Sequence, residues 1–337
     1  MAVRVKSPAR VAQVALPLLV LLVLLVLPGA GLSPNLLRLL FITAVWTTTS
    51  VGWNLLGGLT GQVSFGFAVF YGLGAYTTAL MMHAGNSAYF GYFGAAAVAM
   101  IASFLIGLPA FRLRGPYFAI ATIGVTEAVR VVMNNLDITG GSSGYRVTEE
   151  GPFRPLVHYY TAILLVAFAV LVSYLIFNSK FGLALRAIKQ DEDAAADIGV
   201  NPYLSKLWIH AIAAALVGVA GGVYARYAAF IYPGNVFAFQ TSIYILLMPV
   251  IGGIGTVWGA ILGGAVFGVV EEELVAKFPN VHLLLYGALL IIIILLEPDG
   301  LLGLLRRLFR RRSRENPGSG SPDQELWGRG GLKERNV

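Results

Sequence analysis

Between Arg38 and Arg112 the chain contains no Asp, Glu, Lys or Arg. That run of roughly 70 residues far exceeds the ~20 apolar residues of one membrane crossing. A water-soluble domain cannot carry it, because its surface has to be wetted. A lipid-embedded helix bundle can, because hydrocarbon covers its outside. Function is therefore to be sought across a membrane, as a pathway, a gate and an energy source.

The remaining chemistry narrows the class. Charged residues make up 12% of the chain, about half the share usual in soluble domains. The 40 glycines suit helices that pack closely through small residues. With no cysteine, disulfides, thiolate metal sites and a Cys nucleophile are excluded. The four histidines form no HExxH or similar pair, so neither a metal nor a cofactor is expected. No catalytic constellation appears, which argues against an enzyme. A net charge of +7 invites a nucleic-acid reading. The Lys and Arg residues instead fall in the breaks between apolar runs and at the two ends, the positive-inside pattern. No nucleic-acid partner is expected.

Apolar runs near 11–27, 36–56, 62–82, 92–111, 116–133, 159–177, 207–230, 242–254, 259–275 and 282–296 predict an all-α, polytopic protein of about ten spans. The first run follows Arg4, Lys6 and Arg10, as a signal peptide would. Pro28-Gly29-Ala30 fits a cleavage site poorly, so this helix is expected to be retained. With the N-terminus inside, Arg112, Arg114, the segment 179–206 and the arginines Arg306 to Arg314 all fall inside, and 134–158 falls outside. The eighth and ninth runs are short and interrupted by Gly252, Gly253 and Gly255, so they are candidates for broken or re-entrant helices. Residues 1–297 form the membrane domain. Residues 298–337 are basic, then rich in Gly, Ser and Pro. They are predicted to be a disordered cytoplasmic tail, its arginines anchoring the last helix at an anionic lipid leaflet.

The segment 179–206 is polar, and its bases precede the acids Asp191, Glu192, Asp193 and Asp197. Its Ala-rich middle predicts a short helix, and Gly199 suits the left-handed position after a helix end. A solvated connector explains this pattern. So does a rigid lever pushed by a soluble partner. Leu56-Gly57-Gly58-Leu59-Thr60-Gly61 also echoes Ile251-Gly252-Gly253-Ile254-Gly255-Thr256, and both stretches fall at inside ends of spans. Chance glycine turns explain that echo equally well.

Arg186-Ala187-Ile188, Asp191-Glu192, Ala195-Ala196, Gly199-Val200-Asn201 and Lys206, followed by Gly218-Val219-Ala220-Gly221-Gly222-Val223-Tyr224-Ala225, resemble the coupling segment of ABC importer permeases of the branched-chain amino-acid family. Gly61-Gln62-Val63-Ser64-Phe65-Gly66 through Phe70-Tyr71-Gly72-Leu73-Gly74-Ala75-Tyr76 resembles that family's G-x-x-S-x-G-x-x-x-F-x-G-x-G-A-Y stretch. Leu113-Arg114-Gly115-Pro116-Tyr117-Phe118-Ala119, Thr139-Gly140-Gly141-Ser142-Ser143-Gly144 and Gly252-Gly253-Ile254-Gly255-Thr256-Val257-Trp258-Gly259 are similar to its other motifs. The resemblance spans roughly residues 36–296 and is closest to the LivM-type member of the permease pair.

It implies a permease subunit in a bacterial inner membrane. The implied partners are a second, similar permease, two cytoplasmic ATPases and an extracytoplasmic binding protein. It assigns ATPase coupling to Arg186, Lys189, Asp191, Glu192, Asp193, Ala195 and Gly199. No G-x-x-x-x-G-K-[ST] string and no Gly-Lys dipeptide occur, so nucleotide is expected on the separate ATPases.

For the substrate path the candidates are Ser64, Gly66, Phe67, Tyr71, Tyr76 and Glu127. Relatives often carry His or Gln at the position of Phe67 and Glu at that of Tyr244. Glu127 and Arg130 share a helix face at i, i+3 and can pair. Glu271, Glu272 and Glu273 are expected at the outer interface. The expected cargo is a branched-chain or other small amino acid, with urea, amides, aromatic carboxylates or sugars as alternatives. A secondary transporter or channel working alone is the rival class. It needs a buried coupling-ion carboxylate, for which Glu127 is the candidate.

Overall fold

The computed structural model describes residues 23–147 and 154–278, and residues 281, 284, 285, 287, 288, 291 and 300–304 beyond them. Residues 23–26 are helical, and a 3₁₀ turn, Leu27–Ala30, follows. The main helices are α1 (Pro34–Thr60), α2 (Phe67–His83), α3 (Ala88–Ala110), α4 (Pro116–Asn135) and α5 (Pro155–Phe177). Two short polar helices, α6 (Lys180–Gln190) and α7 (Glu192–Asp197), lead into α8 (Pro202–Ala228). Then come α9 (Pro233–Val236), α10 (Phe239–Gly252) and α11 (Val257–Lys277).

Among the described residues, six stretches are long and apolar enough to cross a membrane: α1, α3, α4, α5, α8 and Pro233–Gly252, which joins α9 to α10. The ten predicted spans therefore do not all reappear as such. The predicted span 62–82 loses its first turn, because residues 61–66 are not helical and α2 has only 17 residues. α11 has 21 residues, but its last turns carry Glu271, Glu272 and Glu273. The eighth run begins within α10, which is helical to Gly252, and the ninth lies in the continuous α11; the break between α9 and α10 precedes the eighth run. Most of the first and last predicted spans, and the tail beyond 304, lie outside the described residues.

α1 and α8 form the middle of the bundle and are the most buried of the six. Small residues set how closely the helices approach. A Cβ at Gly74 would stand 1.9 Å from the Gly218 carbonyl oxygen, and one at Gly221 would stand 1.9 Å from that of Tyr71. The α2–α8 crossing thus brings backbone onto backbone, which only glycine permits. By contrast α3 and α5 present Phe93, Leu105, Leu164 and Phe168 outward, the composition of a lipid-facing surface.

The two ends of the bundle differ. Arg112, Arg114 and the α6–α7 segment lie at one end, called the basic end below. At the opposite end Arg38 pairs with Glu272, and Lys277 with Glu273. The loop after α4 also lies there, clamped by a two-residue antiparallel ladder, β1 (Tyr145–Arg146) with β2 (Phe230–Ile231). Its Thr139 donates to the Met133 and Leu136 carbonyls at the end of α4, and Gly140, Gly141 and Gly144 all have positive φ. That left-handed backbone accounts for the glycines of the T-G-G-x-x-G motif. Gly300 lies against Ile251 and Gly253, so the chain is back at the basic end by that residue.

Candidate functional site

The polar segment at the basic end is two helices rather than one. Asp191 is extended (φ −157°), closing α6 and opening α7. Its Oδ1 accepts from the backbone N–H groups of Asp193 and Ala194, both at 2.9 Å. A carboxylate at that position caps a helix and favours its positive end. Gly199 has φ +88°, the conformation expected for it. The inner face, Gly182, Leu185, Ile188 and Ala195, is buried. The outer face exposes Leu183 and Ile198 at 64% and 74%. Sequence reading passed over these two apolar residues; their signal was hydrophobic side chains in a segment otherwise polar on its outside.

Every helix around the segment is tied to it. Arg186 donates to the Phe177 carbonyl of α5 (3.2 Å). Glu192 pairs with Lys206 of α8, whose side chain is only 1% exposed. Arg114, in the α3–α4 loop, grips Asp193 through two hydrogen bonds of 3.1 and 3.2 Å. That bond and the charge of Asp193, with further help from Glu192, raise the guanidinium's pKa. The acids read as a patch for docking thus have internal partners. Beside them a cleft of about 310 Å³ opens between Arg112, Arg114, Glu192, Asp193 and Tyr203.

Lys189 reaches furthest. Its ammonium donates to the Gly58 carbonyl near the end of α1 (3.0 Å). It also stands beside Gly255, in the turn between α10 and α11. There Asn54 accepts from Gly255 N–H (2.8 Å) and donates to the Thr256 carbonyl (3.0 Å). The two echoing glycine stretches therefore pack on each other, under one lysine of the polar segment.

The second feature is the unwound stretch 61–66. Its backbone is satisfied by side chains from α1 and α4 and by its own Ser64. Trp53 Nε1 donates to the Ser64 carbonyl (2.8 Å). Thr122 Oγ1 accepts from Phe65 N–H (3.0 Å), and Thr126 Oγ1 donates to the Phe65 carbonyl (3.1 Å). Ser64 Oγ accepts from Gly66 N–H, and Ser242 Oγ from Ala68 N–H. Irregular backbone in a membrane protein survives where protein or a water-filled cavity satisfies it.

The six predicted path residues fall in separate surroundings. Ser64 and Gly66 belong to the unwound stretch, both buried. Phe67 is enclosed, edge-on to Phe70 (5.6 Å) and to His210 (5.9 Å), which is itself 2.9 Å from Ser103 Oγ. Tyr71 joins an aromatic cluster in mid-bundle: it stacks on Trp46 (6.1 Å) and contacts Tyr224, while Trp46 meets Tyr244 and Phe267 edge-on. Tyr76 stacks on Phe237, and its buried hydroxyl has no hydrogen-bond partner among the described residues. Glu127 is paired with Arg130, as its spacing predicts, on the outer face of α4.

A bundle of apolar helices with a stapled polar segment at one end defines a multi-pass membrane protein. Its residues 35–294 match the family described as branched-chain amino acid transport system / permease component, and the chain belongs to that family. It is similar to the high-affinity branched-chain amino acid transport system permease protein LivM of Salmonella typhimurium, 32% identical over 82% of this chain and 72% of the relative. LivM of Escherichia coli K12 is likewise 32% identical, over 79% and 69% of the two chains. LivH of Salmonella typhimurium is 25% identical over 77% and 92%.

Proposed function

We propose that this chain is the membrane-spanning permease subunit of an ATP-driven importer of branched-chain or other small amino acids. It works in a bacterial cytoplasmic membrane with its basic end inside. Its partners are a second homologous permease, two cytoplasmic ABC ATPases and an extracytoplasmic binding protein. The supporting observation is the stapled segment α6–α7. An ATPase that engages exposed Leu183 and Ile198 and the adjoining cleft would move a rigid element. Its ties to Phe177, Gly58, Arg114 and Lys206 would pass that movement to α5, α1, the α3–α4 loop and α8. Tilting these helices around the pinned 61–66 break alternates access to the path.

Reconstitution tests this. Vesicles holding this chain, its partner permease and ATPases, with binding protein outside and ATP inside, should accumulate leucine. Leu183→Glu with Ile198→Glu should abolish uptake while the protein stays inserted and folded, because a carboxylate cannot replace an apolar contact. Uptake by this chain alone without ATP would make it a secondary transporter. Undiminished uptake in the double variant would remove that face from ATPase docking.

A further inference from the structure

The cleft at the basic end opens where α3 and α8 leave the apolar bundle. One wall is the loop after α3, with Arg112 and Arg114. The other is α7, with Glu192 and Asp193, and Phe111 and Tyr203 also line it. The Tyr203 hydroxyl donates to the Leu108 carbonyl (2.8 Å), which ties the first turn of α8 to the last turn of α3.

Charge in this cleft is divided between its walls. Arg114 is engaged by Asp193, and Glu192 by Lys206. Arg112 is exposed, and its guanidinium has no hydrogen-bond or ion-pair partner among the described residues. The acid wall is not saturated either. An ionised carboxylate offers about four acceptor sites. Glu192 uses one of them for Lys206, and Asp193 uses two for Arg114. The lining holds two guanidinium groups and two carboxylates, so its charges cancel. Asp191 and Asp197 add negative charge on the same segment. A purely anionic ligand is repelled by one wall. A ligand with an anion at one end and a primary ammonium at the other satisfies both.

The surroundings say which such ligand fits. Leu108 of α3 is 45% exposed, and Leu204 and Trp208 of α8 are 48% and 54% exposed. Trp208 is the seventh residue of α8, about 9 Å along the helix at 1.5 Å per residue. Phe104 of α3 meets its ring edge-on at 5.2 Å. An exposed Trp near the end of a membrane helix marks the level where head groups meet acyl chains. The cleft thus continues into an apolar surface of α3 and α8 on which chains can lie. A free amino acid carries the same two charges but has no use for that surface.

We propose that this cleft binds the head group of an aminophospholipid such as phosphatidylethanolamine. Its phosphate lies on Arg112, its ammonium against Glu192 and Asp193, and its acyl chains over Leu108, Leu204 and Trp208. Guanidinium and phosphate form bidentate pairs, and a primary ammonium supplies three donors. The lipid enters from the bilayer side, whereas Leu183 and Ile198 stay open to water. The bound head group bridges the α3–α4 loop to α7 beside the Arg114–Asp193 pair, which ties the polar segment to the bilayer. The site needs only that the basic end lie at a membrane surface, and it does not depend on the importer reading.

Trp208 is the reporter. The full chain is reconstituted in phosphatidylcholine bilayers in which a fixed fraction of the lipid carries bromine on its acyl chains. That fraction is in turn phosphatidylethanolamine, phosphatidylcholine or phosphatidylglycerol. Bromine quenches tryptophan fluorescence on contact, and the share of Trp208 is the difference between this chain and Trp208→Phe. Brominated phosphatidylethanolamine should quench that share several-fold more than brominated phosphatidylcholine, whose methylated ammonium cannot donate hydrogen bonds. Arg112→Gln should cancel the excess, and Arg112→Lys should keep part of it. Arg112 has no contact in the fold to lose, so either variant stays folded. Equal quenching by the three lipids would overturn the site. Strongest quenching by phosphatidylglycerol would make it an anion site and overturn the zwitterion. An excess that survives Arg112→Gln would overturn the seat of the phosphate. Displacement of the brominated phosphatidylethanolamine by leucine, added on both faces, would assign the cleft to a free amino acid instead. None of these ratios requires ATP or uptake, so the site and the importer reading stand or fall separately.

Discussion

Glu192 and Asp193 are adjacent acids with different consequences. Glu192 neutralises Lys206, which is buried, whereas Arg114 and Asp193 are 67% and 77% exposed. Breaking a buried pair strands a charge, at a cost of about 3–5 kcal/mol, while a solvent-screened pair contributes little. Glu192→Gln should therefore lower the melting temperature clearly and Asp193→Asn hardly at all, as read by thermal unfolding of purified protein. Equal shifts would contradict the burial of Lys206. The acidic patch itself was legible in the sequence, but its pairing was not, because no local pattern says which carboxylate reaches a lysine fourteen residues on. The same holds at Phe67. A family comparison suggests a path residue there, yet its ring is enclosed by Phe70 and His210. Phe67→His should destabilise by about 1–3 kcal/mol through an unpaired imidazole, with the cargo preference in an uptake assay unchanged.

At the scale of elements, hydropathy predicted where helices lie better than where they stop. Apolar content is the same on either side of a break, so hydropathy ran the span 62–82 through it, and the glycines left close packing and unwinding equally open. Its unwinding depends on partners far along the chain, Thr122 and Thr126, which no window of sequence contains. Replacing both threonines by valine keeps shape and removes those hydrogen bonds. The double variant should lose about 1–3 kcal/mol, the desolvation penalty of unpaired Phe65 backbone groups, and lose transport further than stability alone explains. The α6–α7 break, by contrast, was legible: an Asp followed by two further acids is a helix-start signature. Reading the acids only as a patch hid it. Lys189 ties the segment to the end of α1. Lys189→Met keeps the stem and deletes the bond to Gly58. ATP hydrolysis by the assembled complex should persist while uptake falls, a split that simple misfolding does not produce.

For the molecule as a whole, the grouping of the charged segments at two opposite ends was the most legible property. The positive-inside rule needs only where Lys and Arg fall, not which helices are whole. The structure gathers Arg112, Arg114, Lys189 and the echoing glycine turns at one end, and Arg38, Glu272 and the β-ladder at the other. Ser143 and Asp197 are both exposed and sit at opposite ends. A cysteine at 197 should therefore react with an impermeant thiol reagent only when the cytoplasmic face is opened, and one at 143 from outside intact cells. Ser143 lies in the ladder-clamped loop and Asp197 ends α7, so neither substitution touches the core. Labelling of both from one side would separate what the Arg114–Asp193 grip and the Arg38–Glu272 pair hold at two ends. It would break the topology on which the direction of import depends.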